Sequence, residues 1–388
     1  MKIFKNLLVI SLTLTSAFSF ASSSWQQLAN FGAEGRHRAA SMSIGNKGYM
    51  GIGHYNGTGT NIVKSDWWEY DPATNSWAQK ADFIGNGGNG NYAVLTFSME
   101  NSSVGYLGGG QLGTGKEFYK YSPATNTWTP VANIPLTTEN TKGFTIGNSG
   151  YYINGSNLWK YDALANSWSN LGSVPFSVNL WNSAFAINGK GYIKTGFSLW
   201  EYKPLTNQWI SRTPFPGLAS SASVAFTQNG KGYIVGGYVG SLSNVNSEVW
   251  EFDPGLNQWF LSVEFPGTSR RFANGFNIGN RAFFGIGTNG TNFNDFWEFD
   301  AIAGVNDIDL DITVNAFPNP VVDVVHFKTS GITIGKIILF NSIGQIIDEV
   351  PIVNSKAIYS RQTSSPGVYY YQIESNGEMI YQNKLIFQ

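Results

Sequence analysis

Two short clusters of basic residues are the first candidates for a binding site in this sequence. Arg36, His37 and Arg38 are consecutive, and Arg270 and Arg271 stand side by side much later in the chain. A guanidinium group presents a planar fork of N–H donors that matches a carboxylate. Both clusters fall in predicted links between strands. We therefore expect them to form a positively charged site for a ligand that bears a carboxylate, such as an acidic sugar.

Histidine supplies a second kind of candidate chemistry. His37 and His54 are predicted on the same face of the molecule, where either could serve as a general base or a metal ligand. A metal site needs a further ligand that the sequence does not place, and the alternative is histidines that are solvated or stabilise turns. The sequence therefore predicts no metal site and no cofactor.

Other polar and aromatic residues in the same predicted loops complete the candidates for ligand binding. Trp181 stands in a link beside Asn182, where an indole could stack on a sugar ring, although local packing explains this Trp equally well. Catalytic proton transfer needs an acid and a base close to one ligand, and Glu139 with His37 or Arg271 is the pair that the sequence offers. The remaining candidates are Tyr55, Asn91, Lys142 and Tyr238.

Composition excludes several classes of function. The chain of 388 residues has no cysteine, so disulfides, thiolate metal sites and a cysteine nucleophile are all excluded. Neither the G-x-S-x-G motif of serine hydrolases nor the H-E-x-x-H motif of zinc proteases occurs. The formal net charge of −1 offers no attraction to nucleic acid.

The first 21 residues have the features of a secretory signal peptide. Lys2 and Lys5 precede a short apolar run, and the small residues Ser19 and Ala21 predict cleavage after Ala21. A membrane anchor is the alternative, but this run is short and rich in Ser and Thr. No later segment is apolar for long enough to span a bilayer. We expect residues 1–21 to be removed on export and no transmembrane segment elsewhere.

A recurring hairpin sequence must position the candidate residues. The segment LWEYKPLTNQW, residues 199–209, has close relatives that begin at Trp67, Phe118, Leu158 and Val249. Alternating large residues predict a strand, proline and asparagine predict the turn, and tryptophan opens the returning strand. The returning tryptophans recur every 40 to 51 residues, which is the period of a β-propeller blade. They are Trp77, Trp128, Trp168, Trp209 and Trp259.

Six glycine-rich strands accompany only five complete hairpins, so one outer strand must come from elsewhere. Trp25 supplies this strand if the N-terminal segment pairs with the blade that ends near Asp300, and the ring is then closed. Over residues 25–300, the glycines, the aromatic pair on the third strand and the Trp on the fourth resemble a kelch-repeat propeller. A WD-type propeller is the alternative, but no Trp-Asp dipeptide closes a unit.

The kelch resemblance implies further roles. Kelch units often carry an arginine just before the first strand that bonds loop carbonyls, and Arg38 and Arg271 occupy this position. The six-bladed kelch sialate mutarotase, in which polar residues at the channel mouth help a sugar open and reclose, is a possible functional relative. The kelch copper oxidases are excluded, because their cofactor requires a cysteine.

After Asp300 the aromatic repeat stops and a second domain is predicted. Residues 301–313 form an acidic linker, and residues 314–388 contain the strands of a small Ig-like β-sandwich. Calcium binding is the alternative role for the linker carboxylates. These are Asp307, Asp309 and Asp311.

This second domain resembles a known export signal. The order of Pro318-Asn319-Pro320, the NSIGQ turn and the SPGVYYYQI strand resembles the C-terminal sorting domain of the type IX secretion pathway of Bacteroidetes. The resemblance implies transport across the outer membrane by the type IX machinery, followed by release or attachment at the cell surface. A plain accessory Ig-like domain is the alternative.

The sequence thus predicts an all-β protein with two domains. Residues 22–300 form a six-bladed kelch-type β-propeller closed by an N-terminal strand, and the small Ig-like sandwich follows. We expect a secreted or surface-attached binding protein that holds a glycan or an extracellular protein on the loop face, at the mouth of the channel. A sugar mutarotase is the alternative, and the sequence leaves open whether the protein is an enzyme.

Overall fold

The computed structural model divides the protein into two units. One unit ends at Ala301 and the other begins at Ile302. The predicted signal peptide and the linker aspartates lie outside the described residues and stay predictions. The structure describes residues 23–57, 60–138, 142–178, 181–301, 313–330, 332–341, 345–361, 364–375 and 378–388.

Six four-stranded antiparallel sheets make up the first unit, and each sheet is one blade of a β-propeller. Blades 1 to 3 consist of β2 (Ala40–Ile44), β3 (Lys47–Gly57), β4 (Thr60–Asp71) and β5 (Ser76–Lys80); β6 (Leu95–Ser98), β7 (Gly105–Gly108), β8 (Phe118–Ser122) and β9 (Thr127–Pro130); and β10 (Phe144–Ile146), β11 (Ser149–Asn154), β12 (Asn157–Asp162) and β13 (Ser167–Ser173). One 3₁₀ turn, Asn86–Gly88, precedes blade 2.

The other three blades follow the same order, except that the last one takes its outer strand from the start of the chain. Blades 4 to 6 consist of β14 (Ser183–Ile187), β15 (Lys190–Thr195), β16 (Ser198–Lys203) and β17 (Gln208–Arg212); β18 (Val224–Gln228), β19 (Lys231–Val235), β22 (Val249–Asp253) and β23 (Gln258–Leu261); and β24 (Asn274–Ile278), β25 (Arg281–Gly285), β26 (Phe296–Asp300) and β1 (Ser24–Gln27). A short ribbon in blade 5 is formed by β20 (Tyr238–Val239) and β21 (Ser241–Val245).

The predicted closure of the ring through Trp25 is confirmed. Strand β1 pairs with β26 in antiparallel register, with Trp25 opposite Phe299. The indole of Trp25 packs edge-on against Phe265, at a centroid distance of 5.1 Å. The first and last strands of the propeller thus share one sheet, and blade 6 has no open edge on that side.

The asparagine of each hairpin turn has the backbone conformation that the sequence predicts. Asn75 is left-handed, with φ of 49°, and its side-chain oxygen accepts hydrogen bonds from the Tyr70 hydroxyl and from the backbone of Ala29 in the preceding link. The indole N–H of Trp77 donates to the Ala29 carbonyl at 3.2 Å. The recurring Asn and Trp therefore form the turn and also tie one blade to the next.

Close packing between blades explains a second recurring residue, the glycine near the start of the second strand in blades 1 to 5. A Cβ atom at Gly48 would lie 2.1 Å from the ring of Phe276 in blade 6, and one at Gly191 would lie 2.0 Å from the ring of Phe144 in blade 3. The ring of the neighbouring first strand occupies the space that a side chain would need. Glycine at this position lets an aromatic side chain fill the space between blades.

The second unit is a nearly closed seven-stranded β-sandwich with its own apolar core. Its strands, in sheet order, are β27 (Thr313–Phe317), β28 (Val324–Ser330), β31 (Lys356–Ser360), β30 (Ile346–Val353), β29 (Ile334–Phe340), β32 (Gly367–Ser375) and β33 (Glu378–Phe387). Val321 bridges the two edges of the sheet, because its N–H donates to the Ile386 carbonyl at 2.7 Å and its carbonyl accepts from Gln388 at 2.9 Å. In the part of the chain that the structure describes, no helix is long and apolar enough to cross a bilayer.

Candidate functional site

The innermost strands of the six blades, β2, β6, β10, β14, β18 and β24, surround the propeller channel. The residue two positions before each of these strands lies at the channel mouth, and all six line one cleft. We call these six residues the mouth ring. The mouth ring consists of Arg38, Ala93, Lys142, Trp181, Ala222 and Phe272.

The backbone of the mouth ring is unusual. Five of its members, all except Lys142, have a left-handed backbone with φ between 53° and 64°, a conformation that costs a non-glycine residue about 1 to 3 kcal/mol. The N–H of Arg38 donates to the Phe272 carbonyl at 3.1 Å, and the N–H of Ala93 donates to the Arg38 carbonyl at 2.9 Å. Matching bonds join Ala222 to Trp181 and Phe272 to Ala222. The strained backbone therefore links one blade to the next around the channel.

Three large side chains of the mouth ring pack together. The guanidinium carbon of Arg38 lies 4.6 Å from the ring centroid of Trp181 and 4.4 Å from that of Phe272. The rings of Trp181 and Phe272 are themselves 4.5 Å apart. The cleft that remains has a volume of about 30 Å³, which is room for roughly one water-sized group.

Arg38 and Arg271 are cations without a carboxylate partner among the described residues. The Nε atom of Arg38 and the Nε and Nη1 atoms of Arg271 are buried and make no hydrogen bond to the described residues. Burial lowers the pKa of both guanidinium groups, and the positive charge of Arg271 lowers the pKa of Arg38 further. Unpaired buried N–H groups and like charges destabilise the fold, so this arrangement is suited to an anionic ligand.

The neighbouring arginines, Arg36 and Arg270, have the opposite environment. Arg36 is fully buried, forms a two-pronged ion pair with Asp66 and donates to the Ile52 carbonyl at 3.1 Å. Arg270 repeats the arrangement in blade 6, with Asp295 as the partner and the Ile286 carbonyl at 3.0 Å.

These contacts correct the roles that the sequence suggested for the four arginines. The bond to a loop carbonyl was expected of Arg38 and Arg271, but Arg36 and Arg270 make that bond. The donors of Arg36 and Arg270 are directed at residues of the fold, which leaves these two side chains no exposed surface for a ligand.

Lys142 brings a third cation to the mouth. Burial lowers the pKa of its ammonium group to about 8, because the charged form is poorly solvated there. The side chain of Asn182 holds the backbone of Lys142, accepting from its N–H at 3.1 Å and donating to its carbonyl at 3.3 Å. Lys142 and Asn182 both line the cleft.

The two histidines form a buried pair at the wall of the mouth, and neither is solvated. His37 and His54 are 3% and 4% exposed, and their Nε2 and Nδ1 atoms lie 3.4 Å apart. His37 also bonds the side chain of Asn292 in blade 6 through Nδ1, at 2.8 Å. Burial lowers the pKa of His37 to about 4 and lowers that of His54 as well. Both imidazoles are therefore neutral near pH 7 and act as structural links between blades 6 and 1.

The other predicted site residues lie around the cleft rather than in it. Asn91 is buried and donates to the carbonyls of Gly109 and Leu112, so its amide stabilises a loop. Tyr55 belongs to β3 and Tyr238 to β20. Glu139 lies outside the described residues, and the proton-transfer pair that includes it stays a prediction. Within the described ranges, no three His, Asp or Glu side chains converge on a common point that could hold a metal.

Two residues of the cleft were missed by the sequence analysis. Asn274 and Ser223 are buried and line the cleft, and the Asn274 Oδ1 and Ser223 Oγ atoms have no hydrogen-bond partner among the described residues. Asn274 begins a first strand, where other blades have Leu95 or Phe144. This position is apolar in four of the six blades and polar only in Ser183 and Asn274, so a polar side chain there was the signal that could have identified it.

Comparisons with known proteins agree with this description of both units. Residues 315–388 match the family model of the Secretion system C-terminal sorting domain. The solved structure of YjhT is similar over 69% of this chain and 96% of its own, with a TM-score of 0.57 and 14% sequence identity, which is a likeness of fold. No curated protein sequence matches the chain significantly.

The C-terminal match has a direct consequence for localisation. A sorting domain of this type directs a protein to the type IX secretion machinery, and its presence implies a Bacteroidetes source and secretion or attachment at the cell surface. The chain is therefore a six-bladed β-propeller that carries a type IX secretion sorting domain at residues 315–388.

Proposed function

We propose that the propeller is a secreted or surface-attached binding protein whose mouth ring holds a carboxylated glycan. The observation that carries this proposal is the pair Arg38 and Arg271, two partly buried guanidinium groups against the ring of Phe272 without a carboxylate partner among the described residues. Lys142 lines the same cleft as Arg38 and adds a third positive charge to the mouth.

The electrostatics of the mouth favour an anion. Breaking an ion pair at a buried site usually costs several kcal/mol, because one charge is left uncompensated. The positive charges of Arg38 and Arg271 are uncompensated in this way in the free protein. A ligand carboxylate would supply the missing counter-charge and accept bonds from the guanidinium N–H groups.

The aromatic residues favour a sugar as the carrier of that carboxylate. Trp181 is partly buried and lines the cleft. A flat aromatic ring beside a guanidinium group can pack on the apolar face of a sugar ring while the guanidinium binds the sugar's carboxylate. An extracellular protein that presents a carboxylate is the alternative ligand.

A glycan array tests the proposal. The chain from Ser22, with its sorting domain, is applied to methyl glucuronoside, methyl galacturonoside, longer uronate oligosaccharides, their methyl esters and acidic peptides. We expect binding to uronates, loss of binding to the esters, and loss in Arg38→Met and Arg271→Met. Arg281→Met is the matched control, since Arg281 already pairs with Glu298 and lies outside the mouth. Binding to neutral sugars as strong as to uronates, or binding to acidic peptides alone, would contradict the proposal.

A sialate mutarotase remains a second candidate, because Lys142 supplies a group that exchanges protons near neutral pH. Its pKa of about 8 suits acid–base catalysis at a sugar ring. His37 is a poor partner, since it is buried with a pKa of about 4. NMR of freshly dissolved α-sialic acid tests this candidate by measuring the rate of anomeric relaxation. Faster relaxation with wild type but not with Lys142→Met would support catalysis. A rate with wild type equal to that in buffer would exclude it.

A further inference from the structure

The loops around the mouth differ in length from blade to blade. In blade 1 the hairpin of β3 and β4 stays paired beyond the blade, and in blade 5 the connection between the second and third strands contains the ribbon of β20 and β21. Residues 109–117 and 286–295 make the same connection in blades 2 and 6. In blade 4 a turn of two residues, Gly196 and Phe197, is sufficient, and blade 3 has an equally short turn. The wall around the mouth is therefore lowest over blades 3 and 4.

The part of the chain that forms blade 4 contains almost no acidic residues. Between Asp162 and Glu248 the sequence has one Asp or Glu, which is Glu201, and five basic residues. Glu201 is fully buried and paired with Arg212. Like charges repel, and complementary charge guides a ligand to its surface. An anionic chain that leaves the mouth over blade 4 therefore meets no exposed carboxylate there.

Phe197, at the tip of the short turn in blade 4, is an exposed aromatic residue. Its side chain is 50% exposed, whereas the corresponding turn of blade 3 consists of Gly155 and Ser156. Gly196 has the left-handed φ of 57° that the turn uses, and the Phe197 carbonyl accepts from the Phe215 N–H at 2.7 Å. Both features belong to the backbone, so the turn does not require an aromatic side chain at Phe197. The ring offers solvent a flat apolar surface on which a sugar can pack.

Sheet geometry places Phe197 farther from the channel than Trp181. Trp181 belongs to the link that leads into β14, the innermost strand of blade 4, while Phe197 joins the second and third strands of the same blade. Neighbouring strands lie about 4.8 Å apart, so Phe197 lies about 7 Å outward from β14. A sugar that packs on Trp181 and a sugar that packs on Phe197 are therefore different units of one chain.

We propose that the ligand of the mouth is a chain of uronate units that leaves the mouth across blade 4 and packs an outer unit on Phe197. This inference rests on the proposed function and names its ligand class more closely, as an oligouronate or polyuronate. The arginines of the mouth bind the carboxylate of one unit, and Phe197 selects for the length of the chain. The low wall and the absence of exposed carboxylates over blade 4 leave this path open to further anionic units.

Calorimetry with 1,4-linked galacturonate and glucuronate oligomers of one to four units tests the inference on the chain from Ser22. In a series that wild type binds, we expect the association constant of the trimer to exceed that of the monomer at least about tenfold, because a stacked ring adds to the affinity. Phe197→Ser, which copies the turn of blade 3, should lower this ratio to about threefold, the statistical advantage of three equivalent units. The monomer should bind this variant as it binds wild type.

Phe260→Ser is the matched control, because Phe260 is similarly exposed at 42% but lies on β23, the outer strand of blade 5. This variant should keep the wild-type ratio of trimer to monomer affinity. Since both phenylalanines are exposed, we expect the two variants to have the melting temperature of wild type.

Each outcome has a distinct meaning. A smaller advantage of the trimer in wild type would overturn the inference and leave the proposed function intact, with a single uronate unit as the ligand. A wild-type ratio that Phe197→Ser leaves unchanged, or that Phe260→Ser lowers equally, would also overturn the inference. Failure of wild type to bind any uronate would overturn the carboxylated-glycan function and the inference together.

Discussion

The guanidinium groups of Arg38 and Arg271 share one aromatic side chain, with their central carbons 4.4 and 5.6 Å from the ring centroid of Phe272. The two arginines come from the first and last blades of the propeller. The closure of the ring thus creates this positive site, because it brings residues more than 230 positions apart in sequence to one point.

Replacing Arg38 or Arg271 should abolish ligand binding without lowering the free energy of unfolding. We expect Arg38→Met and Arg271→Met to lose uronate binding while the free energy of unfolding stays equal or rises by about 1 kcal/mol, since unpaired buried charge destabilises the fold. Chemical denaturation beside calorimetric binding measures both. A loss of several kcal/mol in either variant would show that these arginines are structural.

The arginines that form ion pairs should behave in the opposite way. Arg36→Met and Arg270→Met each leave a carboxylate, Asp66 or Asp295, without its partner, and we expect a loss of about 3 to 5 kcal/mol in the free energy of unfolding. Urea denaturation of each variant gives the value. Arg281→Met, at an exposed ion pair, is the control and should change stability by less than about 1 kcal/mol.

Trp25 should be important for closing the ring. Trp25→Ala removes packing against Phe265, Phe284 and Phe299, and we expect a loss of about 3 kcal/mol. Faster proteolysis at the N-terminal strand should accompany the lower melting temperature. Leu205→Ala, at a fully exposed side chain, should leave both measurements at the wild-type value.

The pKa of Lys142 predicts the pH dependence of binding. The ammonium group is charged below about pH 8 and neutral above it, so attraction for a ligand carboxylate should fall as the pH rises from 7 to 9. Calorimetry across this range should show affinity that decreases in wild type and stays constant in Lys142→Met. A similar decrease in both proteins would assign the pH dependence to another group.

His37 predicts the acid sensitivity of the propeller. Its folded pKa is about 4 and its unfolded pKa about 6.5, so between these values the unfolded chain takes up a proton that the folded protein does not. Stability is therefore present above pH 6.5 and is lost as the pH falls toward 4. Between pH 7 and pH 5, wild type should lose about 2 kcal/mol more than His37→Asn in matched denaturation curves. Parallel curves would show that His37 does not titrate in this way.

Much of the architecture could be predicted from the sequence, because its signals are local. The turn at Asn207 and the returning Trp209 stand within one hairpin, where backbone preferences act over a few residues. Counting such hairpins against the glycine-rich strands predicted six blades and the role of Trp25. The order of short motifs after Asp300 likewise predicted the sorting domain that the family comparison supports.

The site depended on relationships that no short segment contains. Arg36 and Arg38 are two positions apart, yet Arg36 pairs with Asp66 on strand β4 of blade 1. The left-handed backbone of Arg38 instead brings its side chain to the channel mouth. Ser223 and Asn274 line the cleft and carry buried polar atoms without a partner among the described residues, which no short segment of sequence indicates. Amino-acid sequence alone determined the blades, the ring closure and the export signal. Tertiary structure decided which polar groups are paired within the fold and which remain for a ligand, because pairing depends on distances across blades.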